Sequence, residues 1–229
     1  MFTNRREAGR KLAERLADRL AELEAYDPVV YALPRGGVPV AVEVARRLNA
    51  PLDLILVRKI GAPGYPEVAM GAVVDGASPQ MIVNEDVFAA NGGDSVGLAR
   101  ARRRELAEIE RRRILFLGDR PQISARGRVA VIVDDGLATG ATAKAALAAL
   151  KRQGAALTVL AVPIAPAELV AEMRQYADVV VVLHAPQEFW AIGPFYTDFH
   201  QLSDEETIQL LQAAWARADA TRPPDDVST

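Results

Sequence analysis

Asp134 and Asp135 stand side by side at the end of an apolar run, Val131-Ile132-Val133, and are followed by Leu-Ala-Thr-Gly-Ala-Thr at 137–142. Adjacent carboxylates repel, and desolvating them is costly unless a cation or hydrogen-bond donors meet them. An apolar strand that ends in two acids therefore points to a use for the charge: sugar hydroxyls or a hard divalent cation. The turn behind them has the opposite character. Thr139, Gly140, Ala141 and Thr142 form the first turn of a following helix, where free N–H groups, two hydroxyls and the helix dipole suit an anion. Gly140 lets the backbone approach a phosphate closely. A phosphorylated sugar with Mg2+ fits both ends of this motif.

Three other segments carry chemistry-bearing residues. ALPRGG at 32–37 sets Arg35 before the paired glycines Gly36 and Gly37, just after a first strand. VRKIGAPGYPE at 57–67 follows a second strand, and its glycines and prolines suit a mobile lid carrying Lys59 and Glu67. PQEFWAIGPFYTDF at 186–199 gathers Phe189, Trp190, Phe195, Tyr196 and Phe199 in a chain that is only 6% aromatic.

The strand, the two acids and LATGAT resemble the 5-phosphoribosyl-1-pyrophosphate (PRPP) motif of the type I phosphoribosyltransferases. The resemblance is firm at 129–145 and looser over 28–200. It implies PRPP contacts from Asp134, Asp135, Gly136, Leu137, Ala138, Thr139, Gly140, Ala141 and Thr142, with Mg2+ near the two aspartates. ALPRGG resembles the pyrophosphate loop of that family, where a strained backbone presents N–H groups to phosphate oxygens and a non-proline cis peptide would be costly and functional, with Arg35, Gly36 and Gly37 at the leaving group. The 57–67 segment resembles the flexible catalytic loop, with Lys59 at the pyrophosphate and Glu67 handling a proton. The aromatic segment resembles the hood over the acceptor base. Trp190 would stack there, Phe189 and Ile192 would line it, and Asp198 would stand near base or metal. The implied activity is transfer of the phosphoribosyl group to a nitrogen acceptor, a nucleobase, with release of pyrophosphate, as in purine salvage. Ala138 stands where enzymes of 6-oxopurines usually carry an acid, so the base is left open. The alternatives are a non-catalytic PRPP sensor that binds nucleic acid and, further off, a serine hydrolase.

The elements that position these residues follow from periodicity. Short β-branched runs at 28–33, 52–57, 67–76, 80–84, 128–135, 156–164 and 178–183 alternate with helical stretches at 37–50, 95–114, 141–154 and 166–177. That rhythm predicts an α/β fold with a doubly wound, mostly parallel sheet. An N-terminal helix (1–27) packs on a core of 28–183. The core holds an insertion at about 76–127; a hood with a C-terminal helix (184–218) and a disordered tail (219–229) follow. Leu12, Leu16, Leu20 and Leu23 fall on one stripe, which makes the first helix structural.

Composition narrows the classes. The 229 residues carry a net charge of -3, so no global basic field draws the chain to nucleic acid or membrane. With no cysteine, disulfides and thiolate sites are excluded, and a cytoplasmic home is expected. No membrane partner is expected, and a homodimer stays open. Seven arginines crowd 100–113 against three glutamates, a pattern read as a solvated face with i,i+4 pairs. GDSVG at 93–97 matches Gly-x-Ser-x-Gly, but no core strand leads into it, so Ser95 reads as a helix cap. Two histidines 16 residues apart give no support to a zinc site.

Overall fold

The apolar runs build one buried sheet because both of their faces are apolar. Five strands, β1 (Pro28–Ala32), β2 (Leu52–Leu54), β6 (Val129–Val133), β7 (Leu157–Ile164) and β8 (Val179–His184), pair in parallel in the order β2-β1-β6-β7-β8. In this computed structural model the described residues are 1–62, 64–76, 79–92 and 94–221, with the backbone alone for Pro66, Glu67 and Thr221.

Alternation sorts the side chains into two layers. Val129, Val131 and Val133 join Val30, Ala32, Val159 and Ala161 on one face, under α1 (Arg5–Glu22), α2 (Gly37–Leu48) and α7 (Asp204–Thr221). Ala130 and Ile132 join Val29, Tyr31, Leu160 and Val162 on the other, under α5 (Ala141–Arg152) and α6 (Ala167–Met173). A parallel sheet covered on both faces is the doubly wound α/β arrangement that the rhythm predicts.

The stretch from 57 to 117 forms a second layer system. β3 (Val57–Ala62), β4 (Tyr65–Val74) and β5 (Gln80–Val83) make an antiparallel sheet, with Val57 opposite Val74 and Lys59 opposite Ala72. α4 (Ser95–Leu117) lays Leu98, Ile109, Phe116 and Leu117 into the same core as Ile60, Met70 and Val73. The expected loop at 57–67 is therefore a β-hairpin. Gly61 falls at a register irregularity at Ile60–Ala62, and Gly64 lies in the turn. α3 (Glu85–Ala90), capped by Asn84, has no counterpart in the sequence reading.

Helix ends follow local chemistry. Asn4 accepts the Glu7 N–H and starts α1. Ser203 and Glu206 exchange reciprocal bonds at the head of α7. α4 is capped by Asp94, whose carboxylate accepts the Gly97 N–H at 2.9 Å, so Ser95 is its first helical residue and not its cap. Helix α7 extends to Thr221, and 222–229 lie outside the described residues. Among the described residues no helix is long and apolar enough to cross a membrane.

Candidate functional site

The strand order reverses between β1 and β6: β1 leads outward to β2, and β6 leads the other way to β7 and β8. The loops leaving these two strands flank the crevice that such a reversal opens at the C-terminal edge. They are in close register. The Leu33 N–H donates to the Val133 carbonyl at 2.9 Å, and the missing side chains of Gly36 and Gly37 leave the room that Asp135, Asp134 and the Val133 carbonyl occupy. The peptide between Pro34 and Arg35 is cis.

Asp134 and Asp135 follow β6 at this edge, half-buried and buried respectively. Burial raises the pKa of Asp134, and the neighbouring Asp135 charge raises it further. Burial also raises that of Asp135, against the pull of Arg5. Arg5 is a residue that sequence reasoning missed. Its Nε donates to Asp135 Oδ2 at 2.7 Å, its Nη1 donates to the His200 carbonyl at 2.9 Å, and its guanidinium lies 3.9 Å over the Phe199 ring. One signal was available: Arg5 and Arg6 open a helix, where positive charge opposes the dipole and calls for a partner. Nothing in the sequence said that the partner lies 130 residues away.

The turn after the acids opens α5. Gly140 takes a left-handed φ of 68° and turns the chain into α5, and no side chain caps that helix. Among the described residues its first N–H groups thus have no intrahelical or side-chain partner, next to exposed Ala138 and Thr139 and half-buried Ala141 and Thr142. Leu137 is buried with its N–H on the Ile164 carbonyl, and Gly136 fits where a side chain would meet Ile164 and Ile192. These two shape the loop from behind.

The outlying residues are less converged. Arg35 pairs with Asp204 at 3.4 Å. Lys59 is exposed on β3 and makes no ion pair among the described residues. Glu67 falls in β4, and its side chain lies outside the described residues. The aromatic segment divides in two. Phe189 stacks on Phe195 at 5.8 Å, Tyr196 on Phe199 at 4.9 Å, and they pack with Ile192 around Phe2, Ala8 and Ile164. Trp190 stays out of that cluster at 92% exposure. Asp198 accepts from the His200 ring at 3.0 Å; that bond holds the carboxyl below its usual range, while Asp198 and then Glu206 raise His200.

The donor set suits a magnesium ion that arrives with its substrate. Among the described residues no three His, Asp or Glu side chains gather as a metal site. Arg5 pairs with Asp135 only, and the crowding and burial that disfavour a charge on Asp134 are what a cation there would relieve. Mg2+ takes one or two carboxylates, keeps several waters, and completes its shell from substrate oxygens. Elsewhere, four of the seven arginines at 100–113 are tied to acids: Arg104 to Glu105, Arg111 and Arg112 to Glu108, and Arg113 to Asp75.

Known proteins resemble this chain in sequence and in fold. The model of the phosphoribosyl transferase domain matches residues 2–200. Proteins from two Mycobacterium tuberculosis strains, provisionally named phosphoribosyl transferases, are 47% identical over 93% of this chain; the chain spans about half (47%) of their length. A solved structure from Thermus thermophilus is 41% identical, covers 93% of this chain and 98% of its own, and superposes with a TM-score of 0.74. Two acids closing a strand at the sheet's reversal point, an uncapped helix behind them, and a family match over nearly the whole length have one common explanation: the chain belongs to the phosphoribosyl transferase family.

Proposed function

We propose that this protein transfers the phosphoribosyl group of Mg-PRPP to a nitrogen acceptor, a nucleobase, in the cytoplasm. The observation that supports the reading is the interlocked pair of loops after β1 and β6, with the acid pair in one, Arg35 and the paired glycines in the other, and the uncapped start of α5 behind them.

In the reaction the bond from the ribose anomeric carbon to the pyrophosphate oxygen breaks, and pyrophosphate leaves with the electron pair. The acceptor nitrogen forms the new bond and loses its proton. Charge builds as a cationic ribose and an anionic leaving group, so the protein's task is to orient both partners, offset both charges and exclude water. The N-terminal turn of α5, Thr139 to Thr142, would hold the 5-phosphate. The acid pair would face the ribose hydroxyls and offset its positive charge, with Asp134 the less encumbered. Bound magnesium would neutralise phosphate charge. Arg35 and the Gly36–Gly37 backbone would receive the pyrophosphate, with Lys59 approaching from the β3–β4 hairpin, and Glu67 is the candidate for the proton. The hood at 186–199 would cover the acceptor.

The test is release of pyrophosphate from PRPP by the purified chain, with Mg2+, against a panel of purine and pyrimidine bases. Turnover with one base names the acceptor. PRPP binding without turnover on any base would instead favour the sensor reading.

A further inference from the structure

The contacts of Arg5 place the N-terminal segment inside the site. Phe2 N–H donates to the Phe195 carbonyl, Thr197 N–H to the Phe2 carbonyl and Asp198 N–H to the Thr3 carbonyl, each at 2.8 Å. Residues 2 and 3 thus add an extended rung to the hood, and Arg5 follows within one turn of helix. From there its guanidinium reaches back to Asp135, to the His200 carbonyl and to the Phe199 face. Tyr196 closes the ring by donating its hydroxyl to the Asp135 carbonyl at 2.7 Å. Asp135 is thereby joined to both chain segments that make the hood, through its carboxylate to Arg5 and through its backbone carbonyl to Tyr196.

The other carboxylate is not. The side-chain contact of Asp134 among the described residues is local: its Oδ1 accepts the Asp135 N–H at 2.9 Å. The side chains of Arg5 and Asp135 are each 10% exposed. A pair so buried is costly to open, because each charge would be left without compensation. A ligand that needs a carboxylate therefore meets Asp134 first.

We infer that Arg5 is a positioning residue: it holds Asp135, fastens the N-terminal segment and the 195–200 hood to the acid pair, and leaves Asp134 open to a cation or to ribose hydroxyls. This rests on the phosphoribosyl-transfer reading for the identity of the ligand, but not for the hood. It also has an electrostatic consequence. Arg5 places a positive charge beside the acids, so it opposes any cation that binds there without substrate.

The test uses the full chain with Mn2+ alone as a paramagnetic probe, and amide hydrogen exchange across 195–200. Arg5→Gln keeps bulk and a donor but removes the charge. It should speed exchange in the hood about tenfold and tighten Mn2+ binding by roughly three- to tenfold. Arg5→Lys keeps the charge and loses the forked geometry, so it should speed hood exchange and leave Mn2+ affinity as in the wild type. Asp134→Asn should abolish Mn2+ binding. Hood exchange unchanged in both Arg5 variants, or Mn2+ binding unchanged or weaker in Arg5→Gln, overturns the inference. If these arms come out as expected and the wild type still fails to bind Mg-PRPP, the transfer reading falls while the role of Arg5 stands.

Discussion

The carboxylate of Asp135 fills the space that a side chain on Gly36 would need, and a side chain on Gly37 would come within 2.6 Å of the Val133 carbonyl oxygen. The loop after β1 and the loop after β6 are thus a single interlocked surface. Gly36→Ala should force one loop off the other. Overpacking of this kind costs about 1–3 kcal/mol, read by thermal unfolding. PRPP affinity should fall more than about tenfold, since the acid pair would shift relative to the pyrophosphate loop. Calorimetry returning wild-type affinity in a folded Gly36→Ala protein would separate the two loops functionally.

The two aspartates should respond oppositely in stability. Burial and the Asp135 charge raise the pKa of Asp134, so its ionised form is the disfavoured one in the fold. Asp134→Asn relieves that repulsion and keeps an acceptor for the Asp135 N–H, so the ligand-free protein should unfold at the same or a higher temperature. Asp135→Asn leaves Arg5 buried beside an amide. Breaking a pair this buried costs roughly 3 kcal/mol. With both changes together, Mg2+-dependent PRPP binding should disappear. Retained affinity in the double variant would remove the acids from the site.

How much of this could be read from the chain divides along locality. The strand–turn–helix around the acids was legible because strand, acids, Gly140 and helix are consecutive, so sequence spacing and spatial arrangement coincide. The parallel sheet was legible because buried strands are apolar on both faces, as in Val129–Val133. The hairpin was not. Gly61, Pro63, Gly64 and Pro66 punctuate 57–67 as they would a loop, while the pairing of Val57–Ala62 depends on a partner strand that the local pattern does not name. The Arg5–Asp135 pair was invisible for the same reason, and the aromatic cluster was half legible: composition gathered its residues, but not the division between packed rings and the exposed Trp190.

Because residues 57–62 are paired as a strand, the arm that carries Lys59 should show protection at its root and fray toward its turn. Hydrogen exchange should slow near the turn when PRPP binds. Lys59→Ala touches no ion pair among the described residues and removes an exposed side chain, so stability should change by less than about 0.5 kcal/mol. If Lys59 meets the pyrophosphate, kcat should fall with little change in acceptor KM. A variant with wild-type kcat would leave Lys59 a solvated residue.

Asp75 makes stability depend on pH. It is buried at the root of the arm, where its carboxylate accepts the Leu56 N–H at 2.8 Å and Arg113 at 3.4 Å. Burial outweighs both partners and pushes its pKa up to about 7, from an ordinary 3.8. An acid raised on folding binds its proton more tightly in the native state. Its contribution is therefore complete below about pH 4 and is lost as pH climbs toward 7. Each unit of such a shift corresponds to about 1.4 kcal/mol. Asp75→Asn should flatten the stability profile between pH 4 and 7 relative to wild type, as urea unfolding at several pH values would show. An unaltered profile would mean that Arg113 keeps Asp75 ionised throughout.

Trp190 is the sharpest probe of the hood. A tryptophan at 92% exposure contributes almost nothing to the packed cluster beside it, where Phe189 stacks on Phe195 and Tyr196 on Phe199. Leaving so large an apolar ring in water has a cost that a planar ligand would offset, and ring stacking is worth roughly 1–3 kcal/mol per base in comparable sites. Trp190→Ala should therefore keep the wild-type melting temperature and PRPP affinity, while raising the acceptor KM about ten- to a hundred-fold. Phe195→Ala is the contrasting variant. It removes a ring from the cluster around Phe2 and should lower stability by about 2–3 kcal/mol. If Trp190→Ala leaves the acceptor KM where it was, the acceptor does not stack on Trp190. The alternative is then the cavity of about 350 Å3 beside Arg5, Asp198, His200 and Glu206. Asp198→Asn would test that wall by the same KM measurement.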